Sequence, residues 1–131
     1  MIVLDTHVWV WYMDNPQMLS PAAAEAIADA QKSSAVYISA ISAWEIYMLE
    51  KKGRLEFKIS ALDWVRRCER LSFLKFVPVD NEIARVAVQL PGELHPDPAD
   101  RMIVATSLIL GAPLVTKDRR ILEFQHVETV W

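Results

Sequence analysis

Apolar positions in this chain fall into short unbroken runs separated by longer periodic stretches. Ile2-Val3-Leu4, Val36-Tyr37-Ile38-Ser39, Phe76-Val77-Pro78-Val79 and Pro113-Leu114-Val115-Thr116 are the short runs. Such runs, rich in β-branched residues, read as strands buried on both faces. Val127 to Val130 is a candidate fifth. Pro78 cannot donate to a ladder, so it marks the third run as a strand end or an edge. The intervening stretches carry helix signals. Thr6 to Met13 forms one or two turns, broken by Asn15-Pro16. Ser20-Pro21 opens an alanine-rich helix to about Lys32, serine as N-cap and proline at the first position.

Ser42 opens a helix running to Lys52, with Gly53 as its stop, and Glu45 closes a Ser42-x-x-Glu45 capping box. Ser60 opens the next, with Leu62, Val65, Cys68 and Leu71 inward. Asp80 caps a helix facing Ile83, Val86, Ala87 and Leu90 inward, ended by Pro91-Gly92. After a loop over 93–96, Asp97-Pro98 starts a helix to Leu110 that Gly111 closes, and Asp118 opens a short last one. Strands alternating with helices predict an α/β fold, a parallel sheet of four to five strands with helices on both faces, in one domain over residues 1–131. Ligands of such sheets bind beyond the carboxyl ends of the strands.

Composition changes the picture in few places. With 131 residues, 53% of them apolar, the chain can build one core. A net charge of −3 excludes a globally basic nucleic-acid binder but leaves room for a local basic patch. One cysteine, Cys68, allows no internal disulfide and fits a reducing compartment. The opening residues lack a secretory pattern, and no run is long enough to span a bilayer, so a soluble cytoplasmic protein is expected.

The acidic residues carry the chemistry. Asp5 ends the first strand, Asp118 lies just past the fourth, Glu45 lies early in the helix after the second, and Asp97 and Asp100 lie at the start of the helix before the fourth. All five can face one end of the sheet. Clustered carboxylates repel and drift upward in pKa, and a divalent cation removes that cost. Oxygen ligands suit Mg²⁺ or Mn²⁺, and no cysteine–histidine set exists for structural zinc. Each acid also has a structural alternative: Glu45 in the capping box, Asp97 and Asp118 as N-caps, Asp100 against the helix dipole. Asp5 is hardest to explain that way, since a charge ending an apolar strand is costly unless it faces a cleft. His7, between Thr6 and the aromatics Trp9 and Trp11, reads as a packed, hydrogen-bonded side chain. Basic residues cluster over 51–58, 66–70 and 117–120, mostly as solvated faces; Arg101, Lys117 and Arg119 adjoin the proposed site and are the phosphate-contact candidates.

Val3-Leu4-Asp5-Thr6-His7, Ile41-Ser42-Ala43-Trp44-Glu45-Ile46, Asp97-Pro98-Ala99-Asp100-Arg101-Met102-Ile103-Val104-Ala105 and Val115-Thr116-Lys117-Asp118 together resemble the successive blocks of VapC-type PIN-domain toxins. Each block alone is weak; four in order, over nearly the whole chain, are fairly specific. The resemblance implies an α/β/α sandwich, an endoribonuclease dependent on Mg²⁺ or Mn²⁺, a cognate antitoxin encoded beside it, and a homodimer. By position, Asp5, Glu45, Asp100 and Asp118 match the family's acidic, metal-binding quartet, Thr6 and Thr116 match polar positions supporting it, and Asp97 is an accessory carboxylate. A single-stranded or structured RNA is the expected substrate.

Two other readings compete. A non-catalytic RNA- or partner-binding module on the same fold would use Trp9, Trp11 and Tyr12 as a partner surface, although core packing suits them better. A phosphatase with Asp5 as nucleophile would want a second aspartate two residues on, where this chain has His7.

Overall fold

The computed structural model describes residues 1–55 and 57–131. Its strands are β1 (Ile2–Leu4), β2 (Val36–Ser39), β3 (Leu74–Val77), β4 (Leu114–Val115) and β5 (Thr129–Val130). The helices are α1 (Thr6–Asp14), α2 (Pro21–Lys32), α3 (Ala40–Lys51), α4 (Ala61–Glu69), α5 (Asn81–Val88), α6 (Pro98–Leu110) and α7 (Arg119–Leu122). The strands form one sheet in the order β3-β2-β1-β4-β5, every neighbouring pair parallel. The expected α/β sandwich with a parallel sheet is therefore present, with five strands.

Alternation along the strands builds a core on each face. Ile2, Leu4, Val36 and Ile38 pack with Trp9, Ile27, Trp64 and Val65 from α1, α2 and α4. Val3, between them in sequence, packs instead with Ile103, Val104, Leu114 and Ile121. Successive side chains point to opposite faces, so a strand flanked by two helical layers must be apolar throughout. Full burial of each such aliphatic side chain contributes about 1.5–3 kcal/mol. Cys68 is a buried free thiol in the first of these cores, and burial pushes its pKa up to about 11, which suits a packing role.

Four local expectations are corrected. The helix after β2 starts earlier than Ser42: Ser39 is its N-cap, accepting from the Ile41 N–H, so no Ser42–Glu45 capping box forms. The third strand spans Leu74–Val77 and stops before Pro78, because proline has no N–H for the ladder. In α4 the inward face is Ala61, Trp64, Val65 and Cys68, while Leu62 is 46% exposed. The tryptophan claims the i+3 place that a leucine-led stripe misses. His7, expected to be packed, is exposed, its ring 6.1 Å from that of Trp11. Among the described residues no helix is long and apolar enough to cross a membrane.

Candidate active site

The connections from β1 and β4 leave the sheet in opposite directions, which makes the gap beyond their carboxyl ends the topological switch point. Asp5 follows β1 there as the N-cap of α1, and its Oδ1 accepts the Thr6 N–H at 2.8 Å. Its Oδ2 accepts the Thr116 hydroxyl at 2.7 Å. Thr116, fully buried after β4, also accepts the Asp118 N–H at 3.0 Å, so one hydroxyl ties the first acid to the backbone of the last. Glu45 reaches in from the second turn of α3 and accepts the Thr6 hydroxyl at 2.5 Å; the buried Ser42 hydroxyl lies 2.8 Å from the same oxygen of Thr6. Starting α3 at Ala40 is what frees Ser42 and Glu45 for this work.

Asp97 and Asp100 come from the other side. Asp97 is exposed and caps α6, accepting from the Ala99 and Asp100 N–H groups at 3.0 and 3.3 Å. Asp100, at the third position of α6, is buried in the cleft. Burial pushes its carboxyl up to about 7, and the neighbouring charges of Asp5, Asp97, Glu45 and Asp118 push the same way. Burial likewise raises Asp5, against the two hydrogen bonds that favour its charged form, and raises Glu45. Asp118 moves in the opposite direction: hydrogen bonds from Arg120 hold it below the usual carboxylate range. The other four acids named from the sequence thus all press on Asp100.

Two residues of the cleft were not singled out. His95 sits in the loop before α6, its Nε2 3.1 Å from Asp100 Oδ2 but outside hydrogen-bonding geometry, so a buried ring nitrogen faces the acids without a donor or acceptor partner. One ligand atom from each of His95, Asp100 and Asp118 falls within 4.8 Å of the others. That orphaned nitrogen among carboxylates fits a divalent cation. Arg120 spans the mouth, with Nη2 2.9 Å from Asp118 Oδ2 and 3.8 Å from Asp100 Oδ2. The His95-Pro96-Asp97 tripeptide was the available signal for the first; for Arg120 only its place in a basic cluster pointed anywhere.

Among the phosphate-contact candidates, Lys117 and Arg119 are exposed beside Asp118, with the Lys117 ammonium 5.8 Å from the centre of the Trp11 ring. Arg101 is corrected: its guanidinium donates to the carbonyls of Ala87 at 2.9 Å, Leu94 at 2.9 Å and Val88 at 3.4 Å. It ties the end of α5 to the loop that carries His95 rather than facing a ligand. Arg101→Ala is expected to cost about 2–3 kcal/mol in urea denaturation, the loss of charged hydrogen bonds to carbonyls left without partners. An unchanged midpoint would remove this anchoring role.

The fold and the site define a PIN-domain protein, and the PIN domain family matches residues 2–128. The chain belongs to that family. Ribonuclease VapC22 of Mycobacterium tuberculosis is 37% identical to it over 132 residues, covering 99% of this chain and 98% of the relative. In the fold it is similar to VapBC2 of Rickettsia felis bound to a promoter DNA fragment, with a TM-score of 0.71, 18% identity and coverage of 98% and 97% of the two chains. DNA-bound VapBC of Salmonella typhimurium gives a TM-score of 0.68 at 22% identity, covering 98% and 97%.

Proposed function

We propose that this chain is a divalent-cation-dependent endoribonuclease and the toxin of a toxin–antitoxin pair. The observation that carries the reading is the convergence of Asp5, Glu45, Asp100 and Asp118 on a cleft where burial holds three of them above their ordinary pKa. A chain gains nothing in stability from massing buried acids. It gains a site that releases protons to take up a cation. Asp5, Glu45, Asp100 and Asp118 would hold Mg²⁺ or Mn²⁺, with His95, beside Asp100 and Asp118, as a further ligand and Asp97 completing the anionic wall. The bound ion lowers the pKa of a water and offsets charge on a phosphate.

The chain's own groups do the positioning. Thr6 and Thr116 fix the carboxylate oxygens that face the cleft. Lys117, Arg119 and Arg120 ring the Asp118 side and supply the positive charge that an RNA backbone needs on an otherwise acidic protein. Single-stranded RNA suits an open cleft better than a duplex does, because its phosphates and bases can be splayed. An antitoxin, RNA and a second copy of the chain are the partners of this reading, and the cytoplasm its compartment.

The purified chain, freed of any antitoxin, is expected to cut a mixed RNA pool with Mg²⁺ or Mn²⁺ and to stop in EDTA. Well-folded protein that cuts nothing under either metal would sink the reading. His95 adds a finer expectation. Imidazole nitrogen favours Mn²⁺ over Mg²⁺ relative to an all-oxygen set. His95→Asn should weaken Mn²⁺ binding by about tenfold in calorimetry, with a much smaller change for Mg²⁺; equal losses for both ions would remove His95 from the ligands.

A further inference from the structure

A cavity of about 430 Å³ opens beside the acids, between α3 and the start of α6. Its floor is apolar: Ile41, Trp44 and Met48 line it, with Pro98 opposite. Glu45 and Asp97 form the end it shares with the acidic cleft, and Lys52 and Arg54 form the far rim. The spacing follows from the helix. Residues 41, 44, 45, 48 and 52 fall at i, i+3, i+4, i+7 and i+11, which is one face of α3. From Glu45 to Lys52 is about 10 Å along that face, short enough for one extended strand to touch both ends.

Trp44 is 54% exposed, while Trp9 is fully buried and Trp64 nearly so. A single exposed aromatic needs no explanation. This one differs because it lines a slot of nucleotide size, with anionic groups at one end and two exposed cations at the other. Bases stack on an exposed aromatic face, and a backbone phosphate seeks the cations. A protein segment entering here would bring its own charge past Glu45 and Asp97 and would leave Lys52 and Arg54 unmatched unless it were acidic at one end only.

We infer that this slot is a nucleobase subsite: Trp44 stacks on a base next to the scissile phosphate, and Lys52 and Arg54 hold phosphates of the same strand. The inference rests on the ribonuclease reading and extends it to how the strand is gripped.

The test uses a short single-stranded RNA that the wild type cuts, and versions of it lacking one base at a time, with binding followed by fluorescence anisotropy in EDTA. Wild-type binding is expected to weaken about tenfold when one particular base is missing, the size of a lost stacking contact. Trp44→Ala should bind the intact RNA about tenfold more weakly and be indifferent to the loss of that base, while Trp44→Phe keeps most of the affinity. Lys52→Ala and Arg54→Ala should each lower the slope of log affinity against log salt by about one. Undiminished RNA binding by Trp44→Ala would overturn the subsite, as would a missing-base penalty that persists in that variant. So would a Trp44→Ala defect confined to capture of a protein partner. Cutting by the wild type, measured in parallel, separates the two readings: if it cuts and Trp44→Ala binds normally, only the subsite falls, and if it neither binds nor cuts RNA, both fall.

Discussion

Asp5→Asn is expected to lower RNA cleavage by at least about a thousandfold, several kcal/mol of lost charge stabilisation at the reacting phosphate. The same change should leave the fold in place. The amide can keep most of the local bonding: its oxygen accepts the Thr6 N–H and its NH₂ donates to the Thr116 hydroxyl, which still accepts the Asp118 N–H but loses the acceptor of its own proton. Asp5 is 7% exposed and its burial disfavours charge, so in cation-free protein the relief of that charge offsets the lost Thr116 bond and the melting temperature should stay close to wild type. Activity is then lost while stability is kept, which a purely structural carboxylate would not allow. A variant that cuts at the wild-type rate would remove Asp5 from the machinery. Collapse of the fold would show that the charge itself holds β1 to β4.

The second large effect concerns pH. Asp100 titrates near 7 in the cation-free fold against an ordinary value of 3.8. Because the folded chain holds a proton that the unfolded chain releases, its stability falls as pH rises from about 4 to about 7 and is level above. Cation uptake must displace that proton. Apparent affinity for Mg²⁺ or Mn²⁺ should therefore climb by about tenfold per pH unit up to pH 7 and then flatten. The raised Glu45 and Asp5 steepen the lower part of that climb; Asp118, held ionised by Arg120, adds nothing to it. Calorimetric titrations at pH 5, 6, 7 and 8 would read the slope directly. Affinity that stays constant from pH 5 to 7 would show that Asp100 is already ionised, and Asp100→Asn should erase the part of the slope that belongs to this group.

Arg101 and His95 show how far residue type alone can mislead at such a site. An arginine beside a proposed acid invites a phosphate, yet Arg101 spends its guanidinium on the carbonyls of Ala87, Val88 and Leu94. The loop that these bonds fix brings His95 to Asp100, and nothing in the local sequence says how that loop folds back. Ser42 is a similar case. Its spacing from Glu45 matches a capping box, but Ser39 takes the cap and leaves both side chains free to meet Thr6, 36 and 39 residues away in the chain.

What the sequence determined by itself was local and periodic. Apolar runs buried on both faces specify strands of a parallel sheet; Ser20, Ser60, Asp80, Asp97 and Asp118 specify helix starts because their side chains satisfy backbone N–H groups a few residues ahead. The acids after strand ends followed from the same pattern, since parallel strands present their carboxyl ends together. The tertiary structure alone decided which strands are neighbours, and hence that β1 and β4 flank the cleft. It also decided the partners of Thr6 and Thr116, the inward turn of His95, the clasp of Arg120 and the slot that Trp44 lines. The Thr6 and Thr116 contacts join residues 36 to 111 positions apart, which no period or cap encodes; His95 and Arg120 meet acids near them in the chain, but only the fold of their loops aims them into the cleft.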